Sequence, residues 1–261
     1  MMGHFKVKTR NEMYHPYKQG YHTRPALEKL EEEPFHKDAD YDNFIKEKHK
    51  ALRRFVWTPA RQEVELKHDC DPEIISTVES FIQSKADWVD PNSDISSIAL
   101  QIQEDIAIHR TKDGKDWLAY TNISFPSSWR PEEKIGKSLV EIHSPVPGMN
   151  LSNSYKMAEA CTQKGPFRRF VWTPVFDNKI NLHPGMPKKK FDPENPFIKV
   201  KVERQITWPF PELNCFLFIL RQYIVDPDIK ELYEACSAMN EEQRKYKGVE
   251  QNLIDAMKEM N

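Results

Sequence analysis

The apolar positions change their period part-way along the chain, from helical spacing in the first hundred residues to alternation and short apolar runs after them. A first helix is expected from about Tyr41 to Arg54, anchored weakly by Phe44, Leu52 and Phe55. A second begins at Asp71-Pro72-Glu73, an N-cap residue, a proline in the first turn and an acid beside the helix dipole; Ile74, Val78, Phe81 and Ile82 form its apolar face. A third is expected from Asp94, because Ile95, Ile98, Ala99, Ile102 and Ile106 recur at helical intervals. Strand candidates follow at Trp117 to Phe125, Phe167 to Thr173, Phe197 to Trp208 and Leu213 to Ile224. Lys112-Asp113-Gly114 introduces the first of them, and Pro209-Phe210-Pro211-Glu212 joins the last two as a hairpin. Another helix is expected between the first two strands, at Pro131 to His143. Two short amphipathic helices close the chain, one on Ile229, Leu232, Tyr233 and Cys236, the other on Leu253, Ile254 and Met257. Helices followed by a run of strands predict an α+β fold rather than a doubly wound sheet. The expected division is an arm at 1–40, a helical extension at 41–110, a sheet core at 111–225 and C-terminal helices at 226–261.

Composition narrows the function classes. Charged residues make up 30% of the chain at a formal net charge of −2, so no basic surface for nucleic acid is expected. The triple lysine Lys188 to Lys190 lies between prolines and reads as a solvated loop. The longest apolar run, Cys215 to Leu220, is far shorter than the ~20 residues of a membrane-spanning helix. No secretory-leader pattern opens the sequence. The four cysteines stand far apart without a CxxC pair, which suggests reduced thiols in a cytoplasmic protein and no zinc framework. The absence of CxxCH means that any haem would be held non-covalently. Glycine-rich phosphate loops and a GxSxG nucleophile are also missing from the sequence. The histidines of the arm, His4, His15 and His22, match no standard metal spacing. Glu104 and Asp105 are expected to be a solvated acid pair. The string RRFVWTP occurs twice, at Arg53 to Pro59 and at Arg168 to Pro174, with unrelated flanks.

Three positions carry candidate chemistry. In PEEKIGKSLVEIH, Ile135, Leu139 and His143 are four apart and would share one inward helix face. Ser144-Pro145-Val146-Pro147 ends that helix rigidly. An imidazole so placed can ligate haem iron, or simply cap the last carbonyls; the spacing leaves both readings open. In FIKVKVERQITW, alternation puts Ile198, Val200, Val202, Arg204, Ile206 and Trp208 on one face, and Lys199, Lys201, Glu203, Gln205 and Thr207 on the other. A guanidinium on an apolar stripe needs an anion or a polar ligand, and Arg221 repeats the conflict in line with Cys215, Leu217 and Ile219. Both arginines could meet haem carboxylates or bound oxygen, or form structural ion pairs.

The stretch NISFPSSWRPEEKIGKSLVEIHSPVPG, Asn122 to Gly148, resembles the family of the α subunit of haem-dependent oxidative N-demethylase. The family's Phe-Pro-x-x-Trp turn, Lys-Ile-Gly segment and Ile-His-x-Pro-Val-Pro exit stand here at Phe125-Pro126, Trp129, Lys134-Ile135-Gly136, Ile142-His143 and Pro145-Val146-Pro147. Val202 to Gln205 and Phe218 to Tyr223 resemble its Glu-Arg-Gln and Phe-x-x-Arg-x-Tyr strands. Gln103-Glu104-Asp105 and Tyr246-Lys247-Gly248 match further family positions. Arg169-Phe170-Val171-Trp172 stands where the family has Arg-x-Asn-Trp.

The resemblance implies a PAS-like antiparallel sheet with flanking helices and an N-terminal helical extension, enclosing haem b (heme b). It implies His143 as the metal ligand and Arg204 as the catalytic group opposite, with Glu203 assisting. Arg169, Trp172 and Arg221 would contact the cofactor. The implied reaction is oxidative N-demethylation of a small secondary amine such as dimethylamine with O2, releasing formaldehyde. Electrons would come from NADPH through partner subunits carrying FMN and a 2Fe-2S cluster, since this sequence carries neither site. A haem-based gas or redox sensor without turnover is the alternative, and a cofactor-free interaction protein on the same fold is a third reading.

Overall fold

A computed structural model describes residues 15–53, 63–149, 152 and 154–261. Its centre is an antiparallel seven-stranded sheet in the order β1-β5-β6-β7-β3-β4-β2. The strands are β1 (Glu28–Lys29), β2 (Glu65–Lys67), β3 (Asp105–Lys112), β4 (Lys115–Asn122), β5 (Phe167–Val175), β6 (Lys199–Phe210) and β7 (Cys215–Val225). The helices are α1 (Tyr41–Arg53), α2 (Pro72–Lys85), α3 (Ile95–Ala99), α4 (Leu139–His143), α5 (Ser154–Gln163), α6 (Ile229–Ser237), α7 (Glu241–Lys247) and α8 (Gln251–Met260). The α+β class stands. So do the four expected strands, the helices at Tyr41 and Pro72, and the hairpin, which turns through a 3-10 segment at Pro211–Leu213 between β6 and β7. Asp71 stands at the N-cap position with extended backbone and Pro72 opens α2, but the Asp71 side chain makes no capping hydrogen bond.

Three expectations are corrected. The third helix stops at Ala99, after a cap in which the Asp94 side chain accepts from Ser97 N–H, and Ile106 belongs to β3 instead. Ile106 and Ile108 alternate into the apolar core, while β3 is hydrogen-bonded on both sides, to β4 and β7. That two-sided ladder outweighs the helical spacing. Asp113 and Gly114, both at positive φ (51° and 75°), form the tight β3–β4 turn, as an Asp-Gly pair does in a two-residue hairpin. Glu104 and Asp105 are not solvated but fully buried; Lys48 pairs with Asp105 at 3.4 Å, and Asp105 Oδ2 accepts from Phe125 N–H at 2.9 Å.

The helix expected over Pro131 to His143 is broken. A 3-10 turn covers Pro131–Glu133, and Gly136 adopts φ +76° where any Cβ would come within 3.1 Å of the His68 ring. Such a backbone ends a right-handed helix. The chain restarts at Ser138, where a reciprocal capping box with Glu141 opens α4. The short strands β1 and β2 and the helices α5 and α7 also went unforeseen. In the described part of the arm, Tyr17 is buried and β1 pairs with β5. The second RRFVWTP copy is β5; most of the first lies outside the described residues.

The strand register sorts the interior into two layers. Paired residues across antiparallel strands point to the same face. One face carries Ile106, Ile108, Leu217, Ile219 and Ile206 beneath α2 and α3, and Val200, Val202, Trp172 and Tyr223 beneath the C-terminal helices. The opposite face carries Ala107, Leu118, Leu220, Phe218 and Phe216, covered by Trp129, Ile135, Leu139, Ile142 and α5. Both faces are therefore interior. The polar half of β6 is interior too: Lys201, Glu203 and Thr207 are buried.

Candidate functional site

His143 closes α4 and is partly buried over the second face. Its Nδ1 lies 2.9 Å from the Leu139 carbonyl oxygen. A carbonyl only accepts, so Nδ1 carries the proton, and in the neutral ring Nε2 keeps its lone pair. Burial pushes the imidazole below its ordinary range. The Leu139 hydrogen bond works against this, and the charges of Arg169, His109 and Lys134 reinforce it. The ring is thus neutral at neutral pH. The capping reading holds for Nδ1 and leaves Nε2 unused by that bond. Lys134 takes the capping role at the next carbonyl, donating to Ile142 O at 3.1 Å.

Arg169 projects from β5 to the same face, paired in register with Gln205. Its Nε is buried without a hydrogen-bond partner among the described residues. Burial lowers its pKa, opposed by the charges of Glu203, Cys161 and Tyr246. Glu203 also faces this side: its carboxylate accepts from Ser127 Oγ and, at 2.8 Å, from Gln205 Nε2. Lys201 donates to the Phe125 and Ile180 carbonyls, and burial pulls its pKa down to about 8. Lys247 donates to Trp172 O at 2.6 Å and is likewise lowered by burial to about 8. Both are named by alternation or resemblance alone in the sequence; their burial comes from packing.

Arg204 goes elsewhere. It sits one residue from Glu203, so its side chain leaves the other face of the sheet, in register with Phe170 and Arg221. Its guanidinium donates to Glu32 Oε1 (2.9 Å), Pro34 O (3.0 Å) and Glu33 O (2.8 Å), and is 1% exposed. Arg221 donates to Asp38 at 2.8 Å and lies over the Phe44 ring at 3.7 Å. Trp172 packs among the C-terminal helices on that same face. The arrangement expected from the sequence, Arg204 across a cavity from His143, is corrected: the sheet separates them. His143, Arg169 and Glu203 are brought to one face, and Arg204, Arg221 and Trp172 to the other.

The sequence matches the family model described as haem-dependent oxidative N-demethylase, alpha subunit-like, over residues 73–254. The chain belongs to this family. All six site candidates fall inside the matched span. The segment that holds Arg204, Glu32 to Pro34, lies outside it. The family's name denotes haem dependence, oxidative N-demethylation and one subunit of a larger enzyme. Among the described residues no helix is long and apolar enough to cross a membrane.

What this demethylase-like chain offers to haem is one imidazole of defined tautomer, a buried guanidinium whose Nε has no partner among the described residues, and buried threonine hydroxyls. Thr121 Oγ1, on the His143 face by register, lacks a partner among the described residues, while Thr207 on the same face hydrogen-bonds with the Cys161 thiol. A neutral Nε2 donor suits ferrous or ferric iron, and a buried arginine suits a carboxylate. Missed by the sequence reading were His109 and Asp116, which pair through His109 Nε2 and Asp116 Oδ2 at 2.7 Å. The signal for them was the Asp113-Gly114 hairpin, which makes residues 105–111 a strand and sets both side chains facing α4 and α5.

Proposed function

We propose that this chain binds haem b through His143 Nε2 and serves as the catalytic subunit for oxidative N-demethylation of a small secondary amine. The observation that carries the reading is the fixed Nδ1–H tautomer of His143 within the family-matched span. Haem, when bound, supplies the oxygen chemistry that the polypeptide lacks. Arg169 on the same face would take a haem carboxylate through its buried Nε, which has no hydrogen-bond partner among the described residues. Glu203 would receive the ammonium form of the amine, held in orientation by Ser127 and Gln205. Burial of Lys201 beneath them excludes water from that side. Dimethylamine, O2, two electrons and two protons give methylamine, formaldehyde and water. The electrons would come from NADPH through partner subunits bearing FMN and a 2Fe-2S cluster.

The test is an ultraviolet–visible titration of the full chain with haemin, followed by addition of dimethylamine. A Soret band that forms in the wild type, is lost or shifted in His143→Ala, and moves when the amine is added is the expected result. No band in the wild type would end the haem reading for this chain. A His143-dependent band without an amine response or formaldehyde release would end the demethylase assignment and leave a haem-based sensor.

A further inference from the structure

His143 is held by more than its own helix. At the other end of α4, Leu139 N–H donates to Asp116 Oδ2 at 2.6 Å. The same oxygen accepts from His109 Nε2 at 2.7 Å. His109 is 3% exposed and lies against the Phe216 ring, with centroids 5.2 Å apart. Leu139 is thus held twice. Its N–H is tied to the β3–β4 hairpin, and its carbonyl receives the His143 Nδ1 proton. The α4 segment has only five residues, too short to be rigid by itself. Its position depends on what grips its first residue.

We propose that Asp116 is a positioning residue for His143: with His109 it clamps Leu139, and the clamped Leu139 carbonyl selects the His143 tautomer that leaves Nε2 free. The inference rests on the haem-ligand reading for its purpose, but not for its geometry. Burial pushes the Asp116 carboxyl up, yet the hydrogen bonds from His109 and Leu139 outweigh it and hold the group below the usual carboxylate range. Asp116 therefore stays an acceptor for both N–H groups near neutral pH. An outer partner that orients a ligating histidine is a general device of metal sites; here it acts one residue removed, through the helix backbone.

Substitutions at Asp116 and Leu139 separate this role from a merely structural one. Asp116→Ala removes the acceptor, while Asp116→Asn keeps an oxygen that can receive both N–H groups. Leu139→Pro removes the N–H of that residue along with its packing against Ala158, Cys161 and Phe216, and Leu139→Ala, which loses the packing but keeps the N–H, is its control and should leave the ring unchanged. Proline is tolerated at the first helical position, and Ser138 already has the extended backbone (φ −70°, ψ 162°) that precedes proline. The readout is the 15N spectrum of the His143 ring in the full chain without haem, assigned by its loss in His143→Gln. The wild type and Asp116→Asn should show a protonated, pyrrole-type Nδ1. In Asp116→Ala and Leu139→Pro that resonance should move toward the pyridine-type position, as the ring shifts to the Nε2–H form favoured in water. An unchanged spectrum in Leu139→Pro overturns the proposal even if Asp116→Ala fails to fold. So does an Nε2–H ring in the wild type. A correct ring spectrum in a chain that takes up no haem would defeat the ligand reading alone.

Discussion

Glu203 and Arg204 are neighbours in β6 whose side chains leave opposite faces of one sheet. Glu203 meets Ser127 and Gln205 on the face that bears His143. Arg204 meets the arm residues Glu32, Glu33 and Pro34 on the other. The period of two along a strand forces this division, and it assigns the two residues different work.

Arg204 should be chiefly a stability residue. Arg204→Ala strands two carbonyls and part of the Glu32 charge in a buried site, and a broken buried pair costs about 3–5 kcal/mol. Glu32 keeps Arg168 at 3.1 Å, so the lower end, about 3 kcal/mol, is expected. Urea unfolding would show it as a lower midpoint. Haemin uptake by the folded fraction should be unchanged, because the lesion lies across the sheet from His143.

Arg169 should behave in the opposite sense. Its guanidinium is desolvated without a partner for Nε among the described residues, so Arg169→Gln should not lower the unfolding midpoint. It should weaken haem. A charge-assisted hydrogen bond contributes about 1.5–3 kcal/mol, which corresponds to about a 10- to 100-fold rise in Kd. Haemin titration of the two proteins side by side measures it.

Gly136→Ala tests the broken helix. At φ +76° an alanine costs about 1–2 kcal/mol, and its Cβ would press on the His68 ring at 3.1 Å. Were residues 131–143 one continuous helix, the same change would stabilise by about 0.5–1 kcal/mol. Thermal or urea unfolding distinguishes the two by sign.

Acid should release the arm. Burial raises the Glu32 carboxyl, but the charge and hydrogen bond of Arg204, with Arg168, outweigh it and hold it below 4.5. The folded-state value is depressed, so the stabilisation is present above the unfolded value. It is lost as pH falls through the folded one. Amide exchange across residues 28–34 should therefore accelerate below about pH 4.5. Glu32→Gln should exchange faster already at neutral pH, with little added response to acid.

Much of this was legible in the chain. Period-two alternation placed β5, β6 and β7, and correctly separated the Arg204 stripe from the Glu203 stripe. Cap chemistry placed α2. The 27-residue stretch around His143 pointed to the family that the comparison then supplied. Where periodicity misled, a longer-range contact had won. The Ile98, Ile102, Ile106 spacing looks helical, yet residues 105–112 are claimed by two neighbouring strands. The Ile135, Leu139, His143 spacing looks like one face, yet Gly136 turns the chain left-handed beside His68.

Local physics, then, set which segments extend, which coil, and which side chains share a strand face, because these depend on spacings of two to four residues. The meaning of each face was decided only by tertiary packing. Whether Arg204 looked into a site or onto the arm depended on residues some 170 positions away in the chain. The tautomer of His143 depended on a five-residue helix stopping and starting where it does. No short-range pattern encodes either, since both arise from which distant groups satisfy buried hydrogen bonds.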